Sequence, residues 1–395
     1  MAEPNSIKRH PFPTNLGQLA DTPFYYYDIA LLRETLRAIN NETAGYPFQV
    51  HYALKANCNS KVLNEIAKHG LGADLVSGGE LIAASQAGFE AHRMNFSGVG
   101  KTDREIKLAL EQGIGCFNVE SIPELEVINH IAAGMENQAP VAIRVNPDID
   151  AHTHKYITTG TVDDKFGIPV EALPHVITRA TSLPGIRLLG LHFHIGSQIT
   201  DMEPYRMLCH TINKLIDSSE QQGTRFNIIN VGGGLGIDYS SPDEHPIADF
   251  KSYFDIFKHN LRLREGQQLH FELGRAIVAQ CGSLIARVTY VKENRHKKFI
   301  VLDAGMNDLI RPALYQARHA IQNLTAAGQE AAGWMSYDVV GPVCESSDTF
   351  GHDYRLPHTR RGDIIAIRSA GAYGESMAST YNMRPLPGCV TCGDE

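Results

Sequence analysis

Six places in the sequence carry residue types and spacings that could do chemistry. Lys55 follows the apolar run His51–Leu54 in the string His-Tyr-Ala-Leu-Lys-Ala-Asn. A lysine there is either an ordinary surface group or a Schiff-base lysine, whose neutral amine attacks a carbonyl carbon. Gly232, Gly233 and Gly234 follow the run Ile228–Val231. Consecutive glycines let backbone N–H groups approach a phosphate, although a plain glycine-rich turn has the same composition. The spacing is not a dinucleotide fingerprint, which would need glycine at Ile237, and no Lys-Ser/Thr follows to make a nucleotide P-loop. His192 and His194 alternate along an apolar run and share a face. No third ligand stands at similar spacing, so His194 stacking on a cofactor ring, with Ser197 donating to a phosphate, fits better than a two-histidine metal site. Glu272 and Arg275 close another run. They are either a structural pair or an acid that holds a ring nitrogen protonated beside a cation that neutralises phosphate or carboxylate. Cys389 and Cys392 form a CxxC with no second pair nearby, so neither zinc nor redox use is expected of it. His152 and His154 lie in a polar stretch and read as a solvated loop.

These groups need elements to position them. Short apolar runs alternate with amphipathic helical stretches at Val50–Leu54, Ala73–Val76, Met94–Ser97, Cys116–Val119, Val141–Val145, Leu188–Ile195, Ile228–Val231 and Leu269–Leu273. Eight such runs joined by helices predict a parallel sheet closed as a TIM-type (β/α)8 barrel, in the α/β class. In that fold catalytic groups sit at the C-terminal ends of the strands. Those ends are Lys55, Asp74, Ser97-Gly98, Glu120, Arg144-Asn146, His194–Ser197, Gly232–Gly234 and Glu272–Arg275, a ring of polar groups and glycines that predicts one site. After Arg275 the runs become β-rich and are separated by turns, at Leu284–Val291, Lys298–Leu302, Met335–Val340 and Asp363–Ile367. The expected organisation is an N-terminal segment, 1–27, that joins the β part, a barrel over 28–275, and a C-terminal all-β domain over 276–395.

Composition narrows the function classes. Lys+Arg 36 against Asp+Glu 44 leaves a net charge of −8, which gives no support for nucleic-acid binding and favours a small-molecule substrate. The polar start of the chain reads as neither signal peptide nor membrane anchor, and no stretch reaches the roughly 18 apolar residues of a bilayer span. Seven scattered cysteines suit reduced thiols in the cytoplasm better than a disulfide framework.

Together these motifs resemble the fold-type III pyridoxal-phosphate (PLP) decarboxylases, and within them the diaminopimelate decarboxylase family. The matching strings run through nearly the whole chain. They include Tyr-Ala-Leu-Lys55-Ala-Asn, Ala-Asp74-Leu-Val-Ser-Gly-Gly-Glu80, Arg144-Val-Asn-Pro-Asp, Asp164-Lys-Phe-Gly-Ile, Leu191-His-Phe-His194-Ile-Gly-Ser197-Gln and Gly232-Gly-Gly-Leu-Gly-Ile. Beyond the barrel they continue with Asp303-Ala-Gly-Met-Asn-Asp-Leu-Ile-Arg311-Pro-Ala-Leu-Tyr315, Gly341-Pro-Val-Cys344-Glu345-Ser and Gly371-Ala-Tyr373-Gly. Two places depart from the family pattern: Leu273 stands where proline is usual, and the tail after Tyr381 is unlike the usual closing strand.

The resemblance implies PLP as cofactor, no metal, and the following roles. Lys55 carries the Schiff base, His194 stacks on the ring, and Glu272 binds the ring nitrogen. Ser197, Gly232–Gly234, Arg275 and Tyr373 surround the phosphate, with Asp74, Leu273 and Gly274 completing the cofactor set. Cys344 and Glu345 enter the partner's site in a homodimer with shared active sites, where Cys344 is the proton donor. Arg275, Arg311, Tyr315, Glu345 and Tyr373 contact substrate. A fixed guanidinium at Arg311 can pair bidentately with a second carboxylate, which points to a diamino diacid and so to lysine as product. The competing readings are a basic-amino-acid or carboxynorspermidine decarboxylase, an alanine-racemase-like isomerase, and an inactive regulatory homologue. The isomerase would not need Cys344-Glu345 or Arg311, and the inactive homologue should have lost Lys55 or Cys344.

Overall fold

The computed structural model describes residues 12–13, 15–149, 165–326 and 333–393. His152, His154 and Asp164 lie outside them. Within these residues eight parallel strands close into a barrel: Phe48–Ala53, Gly72–Leu75, Met94–Phe96, Cys116–Val119, Ala139–Asn146, Ile186–His192, Ile228–Asn230 and Gln268–Leu273. Each pairs with the next, and the last returns beside the first, with Glu272 opposite His51. The strands are nearly continuous apolar runs because helices cover one face and the barrel interior the other. Turns with helix-capping residues set the alternation. Ser77, Thr102 and Ser121 cap the helices Gly78–Gln86, Asp103–Gln112 and Ile122–Gly134 with their side-chain oxygens, satisfying donors that the first helical turn leaves open. Behind the last strand, Phe271 meets Phe254 edge-on at 4.9 Å, within a cluster that includes Tyr253 and Phe257.

Backbone contacts divide the chain into two compact units. One holds Leu36–Gly236 and Asp249–Gly274; the other holds the described residues of 1–35, 237–248 and 275–395. The second unit is a mostly antiparallel sheet built on Gly282–Glu293. That strand pairs with Phe24–Asp28 and Ile364–Ile367 along one half and with Lys298–Leu302 along the other. Trp334–Val340 and Thr349–Pro357 extend the sheet as an antiparallel pair. Leu16, Phe24, Tyr26, Ile285 and Ala366 form a core cluster here. The tail does form a strand: Gly388–Cys392 lies parallel to Phe24–Asp28. On a strand, residues three apart point to opposite faces, so the Cys389 and Cys392 thiols diverge rather than forming a chelating pair. The segment Ile237–Ala248, which follows the glycine run, groups with the sheet unit: Asp243 pairs with the buried Arg368 at 3.1 Å.

Candidate active site

The barrel unit carries a polar network where a TIM barrel usually packs branched apolar side chains. Glu272, 7% exposed, accepts hydrogen bonds at Oε1 from Asn118 Nδ2 at 2.9 Å and Asn230 Nδ2 at 2.7 Å. His192 Nε2 lies 3.0 Å from Glu272 Oε2. Cys116–Val119 is not adjacent to Gln268–Leu273 in the sheet, so the Asn118–Glu272 bond spans the barrel interior. Burial works against the carboxylate charge. His192, by charge and hydrogen bond, then His194 and Asn230, nevertheless pull its pKa well below the usual range. Asp74 shifts the other way. Burial first, then repulsion by Glu272, raises it well above the carboxylate range, against the opposing Lys55 charge and a 2.7 Å bond from Ser97 Oγ. Two carboxyls in one interior part in this way: the one with three N–H donors is held toward its ionised form and the other is pushed toward its protonated form. Asn118 Oδ1 and His192 Nδ1 remain buried without a hydrogen-bond partner.

Lys55 is exposed in the short turn Leu54–Ala56 that ends the Phe48–Ala53 strand. Its charge, after burial, helps hold His194 well below its ordinary pKa, and so neutral. His194 lies beyond the end of Ile186–His192, and its Nδ1 accepts the Gly233 N–H at 3.2 Å. The two histidines therefore serve different partners, and no metal-binding group of His, Cys, Asp or Glu occurs among the described residues. Gly232 and Gly234 have φ of +68° and +101°, and a Cβ on Gly232 would come 2.3 Å from the Phe193 carbonyl oxygen. At Gly233 a Cβ would sit 1.8 Å from the Glu272 carbonyl oxygen. Only glycine builds this turn. Ser197 is half-buried two residues before the Ile199–Leu235 bridge, and Leu273 and Gly274 are buried at the end of their strand.

The sheet unit carries a second group. Arg275 starts the short helix Arg275–Val278 and donates from Nη1 to Tyr239 Oη at 2.6 Å. The Tyr373 ring lies 4.9 Å from the Arg275 guanidinium, and Tyr373 holds a φ of +56°, a strained value for a bulky residue. Arg311, 4% exposed, starts the helix Arg311–Tyr315, and Tyr315 at its end is half-buried. Arg311 Nη1 lies 3.0 Å from His319 Nε2, and its guanidinium lies 4.7 Å from the Tyr239 ring. Among the described residues no carboxylate pairs with it. Cys344 and Glu345 are exposed on the loop between Trp334–Val340 and Thr349–Pro357, where Tyr381 donates to Glu345 at 2.6 Å. Asp348 secures that loop by accepting from Val343 N at 2.7 Å and Met306 N at 2.6 Å.

The residues singled out by sequence thus fall into a barrel set and a sheet set. Sequence reasoning overlooked Asn118, Asn230, Tyr239 and His319 and gave His192 no role beside Glu272. The two asparagines carried a usable signal, an amide inside an otherwise apolar run. Tyr239 and His319 lie in stretches with no periodicity and carried none.

The model of the pyridoxal-dependent decarboxylase family, pyridoxal-binding domain, matches residues 29–279. Diaminopimelate decarboxylase of Bacteroides thetaiotaomicron is 57% identical over 377 residues, covering 95% of this chain and 97% of that one. The chain belongs to the diaminopimelate decarboxylase family. The Vibrio cholerae member is 44% identical over 94% of this chain and 87% of its own. The crystal structure of the Helicobacter pylori family member complexed with L-lysine matches with a TM-score of 0.90 at 40% identity, covering 96% and 94%. Lysine/ornithine decarboxylase from Vibrio vulnificus, at 22% identity and a TM-score of 0.81, shares the fold. The residues present fit the cofactor of this family: a buried anionic carboxylate, orphaned polar atoms in the barrel interior, and a turn that only glycine can build, without side chains to keep a phosphate from the backbone. Among the described residues no helix is long and apolar enough to cross a membrane.

Proposed function

We propose that this chain removes one carboxylate from meso-2,6-diaminopimelate, releasing carbon dioxide and L-lysine, the last step of lysine biosynthesis, with pyridoxal 5'-phosphate as cofactor. Bound pyridoxal phosphate supplies the electron sink that accepts the pair left behind by the departing carboxylate. Lys55 holds the cofactor covalently through Nζ. Glu272, kept anionic by Asn118, Asn230 and His192, holds a proton on the ring nitrogen. His194, neutral, stacks on the ring. Ser197, the Gly232–Gly234 turn, Arg275 and Tyr373 hold the phosphate, with Asp74, Leu273 and Gly274 lining the cofactor's surroundings. Arg275 and Tyr373 also reach substrate, as do Tyr315 and Glu345.

The substrate assignment is carried by Arg311, a buried cation without a carboxylate partner among the described residues. A buried charge left uncompensated costs several kcal/mol, so this position favours an anionic ligand group. Diaminopimelate brings a second carboxylate; lysine and ornithine do not. Cys344 delivers a proton from Sγ to the carbon that lost its carboxylate, acting with Glu345 in the site of a partner subunit of a homodimer. No disulfide joins the described cysteines, which supports a cytoplasmic enzyme.

Carbon dioxide release measured on diaminopimelate, lysine, ornithine and arginine tests the assignment. Turnover should be confined to diaminopimelate. Faster turnover of any monocarboxylate in the panel would replace it.

A further inference from the structure

Arg311 is held by neighbours that carry no negative charge. His319 is 2% exposed, and its Nδ1 lies 2.8 Å from the Arg368 carbonyl oxygen. A carbonyl only accepts, so Nδ1 carries the ring proton and Nε2 presents a lone pair. That lone pair receives the Arg311 Nη1–H at 3.0 Å. Burial, then the charges of Arg311 and Arg275, lower the His319 pKa well below its ordinary value and keep the ring neutral. Tyr239 packs edge-on against His319 at 4.9 Å between ring centroids, lies 4.7 Å from the Arg311 guanidinium, and accepts the Arg275 Nη1–H at 2.6 Å. A carboxylate in place of either group would neutralise the guanidinium outright. Arg311 Nε is buried and has no hydrogen-bond partner. An unmade bond at a buried donor is costly, and a ligand that accepts from it would remove that cost.

We propose that His319 and Tyr239 are positioning residues for diacid specificity: they fix Arg311 through Nη1 and the guanidinium face, keep its charge uncancelled, and reserve its Nε edge for side-on pairing with the distal carboxylate of the substrate. The inference rests on the reading that Arg311 receives that carboxylate. It adds that the acceptor at position 319 must be neutral. Side-on pairing uses Nε–H and the neighbouring Nη–H as two parallel donors, the geometry in which guanidinium and carboxylate match best.

The test uses the holoenzyme and pimelate, a seven-carbon diacid without amino groups that cannot react with the cofactor, with heptanoate as the one-carboxylate control. Calorimetric binding, KM and kcat for diaminopimelate, and melting temperature are measured for each variant. His319→Glu places a carboxylate against Arg311. It should keep or raise the melting temperature yet weaken pimelate binding and raise KM by about 10- to 100-fold, the worth of a charge-assisted contact. Heptanoate affinity and kcat should change far less. His319→Gln, which can accept from Arg311 and donate to the Arg368 carbonyl without charge, should bind pimelate as the parent does. The inference is overturned if His319→Glu binds pimelate normally, or if a stably folded His319→Gln loses it. Arg311→Ala separates the two levels. Pimelate binding lost in Arg311→Ala but kept in His319→Glu removes only the role of His319; binding kept in Arg311→Ala removes the distal-carboxylate reading itself.

Discussion

The histidine pair inside the barrel makes stability depend on pH in a way that can be worked through. His51 Nε2 and His270 Nδ1 lie 3.0 Å apart, and His51 Nδ1 lies 3.0 Å from the Arg93 carbonyl oxygen. The carbonyl fixes the His51 proton on Nδ1, so His51 Nε2 accepts from His270 Nδ1–H. Protonating His51 would set two N–H groups against each other in a buried site. Burial, the largest cause, lowers the His51 pKa from 6.5 to about 4, and lowers His270 well below 6.5. In the unfolded chain both rings take a proton near pH 6.5, while the folded chain refuses it. Stability is therefore unaffected above pH 6.5 and falls as pH drops below it, by about 1.4 kcal/mol per pH unit for each histidine. For His51 alone the loss reaches about 3 kcal/mol by pH 4. Replacing both with glutamine keeps amide donors and acceptors but removes the titration. Urea unfolding followed by circular dichroism at about pH 7, 6 and 5 should give a variant whose stability falls less steeply with acid than the parent's. An unchanged slope would refute the neutral, buried pair.

Three further outcomes follow from the site. Lys55→Ala should lose decarboxylation together with the borohydride-reducible absorbance of the bound cofactor, since among the described residues no other exposed lysine directly follows a barrel strand; normal turnover would overturn its role. Cys344→Ala should keep cofactor and substrate binding but lose about 10²–10⁴-fold in kcat, the worth of a positioned proton donor. Mixing it with Lys55→Ala should restore some activity if sites are shared between subunits, and proven exchange without recovery would exclude sharing. Asn230→Leu removes a 2.7 Å donor from Glu272 and should weaken cofactor binding by about 10-fold or more, read by equilibrium dialysis; unchanged affinity would deny Glu272 its place at the ring.

The barrel was legible because its eight strands are short, largely apolar runs, broken by single inward polar residues, and are flanked by capped helices, two signals that do not depend on distant contacts. The sheet was read less fully. Thr349–Pro357 carries His352, Asp353 and Arg355 exposed in its middle, so its pairing with Trp334–Val340 left no apolar pattern. Gly388–Cys392 is stabilised by pairing with Phe24–Asp28, hundreds of residues away, and nothing local announces it. The same reasoning separates the site residues. Lys55, Glu272 and the glycine turn mark themselves by position at strand ends. Tyr239 and His319 acquire meaning only through Arg275 and Arg311, which the chain brings beside them from remote positions.

The pairing of Phe24–Asp28 with Gly388–Cys392 also bears on how the protein is made. The first strand of this sheet leaves the ribosome early, but its partners Gly282–Glu293 and Gly388–Cys392 come last. At roughly 5–20 residues per second, synthesis leaves that strand waiting for its final neighbour for about 20–70 s. During that interval Phe24, Tyr25, Tyr26 and Tyr27 form an apolar, β-prone run with both edges open, the kind of segment that pairs with other chains. In the barrel each strand's next neighbour follows closely in sequence, and only the closing pair, Phe48–Ala53 with Gln268–Leu273, imposes a comparable wait. Yield is thus sensitive to how well the nascent amino-terminal strand is shielded: added holdase should raise soluble protein, and slower synthesis, which lengthens the wait, should lower it, without altering a single contact of the finished fold.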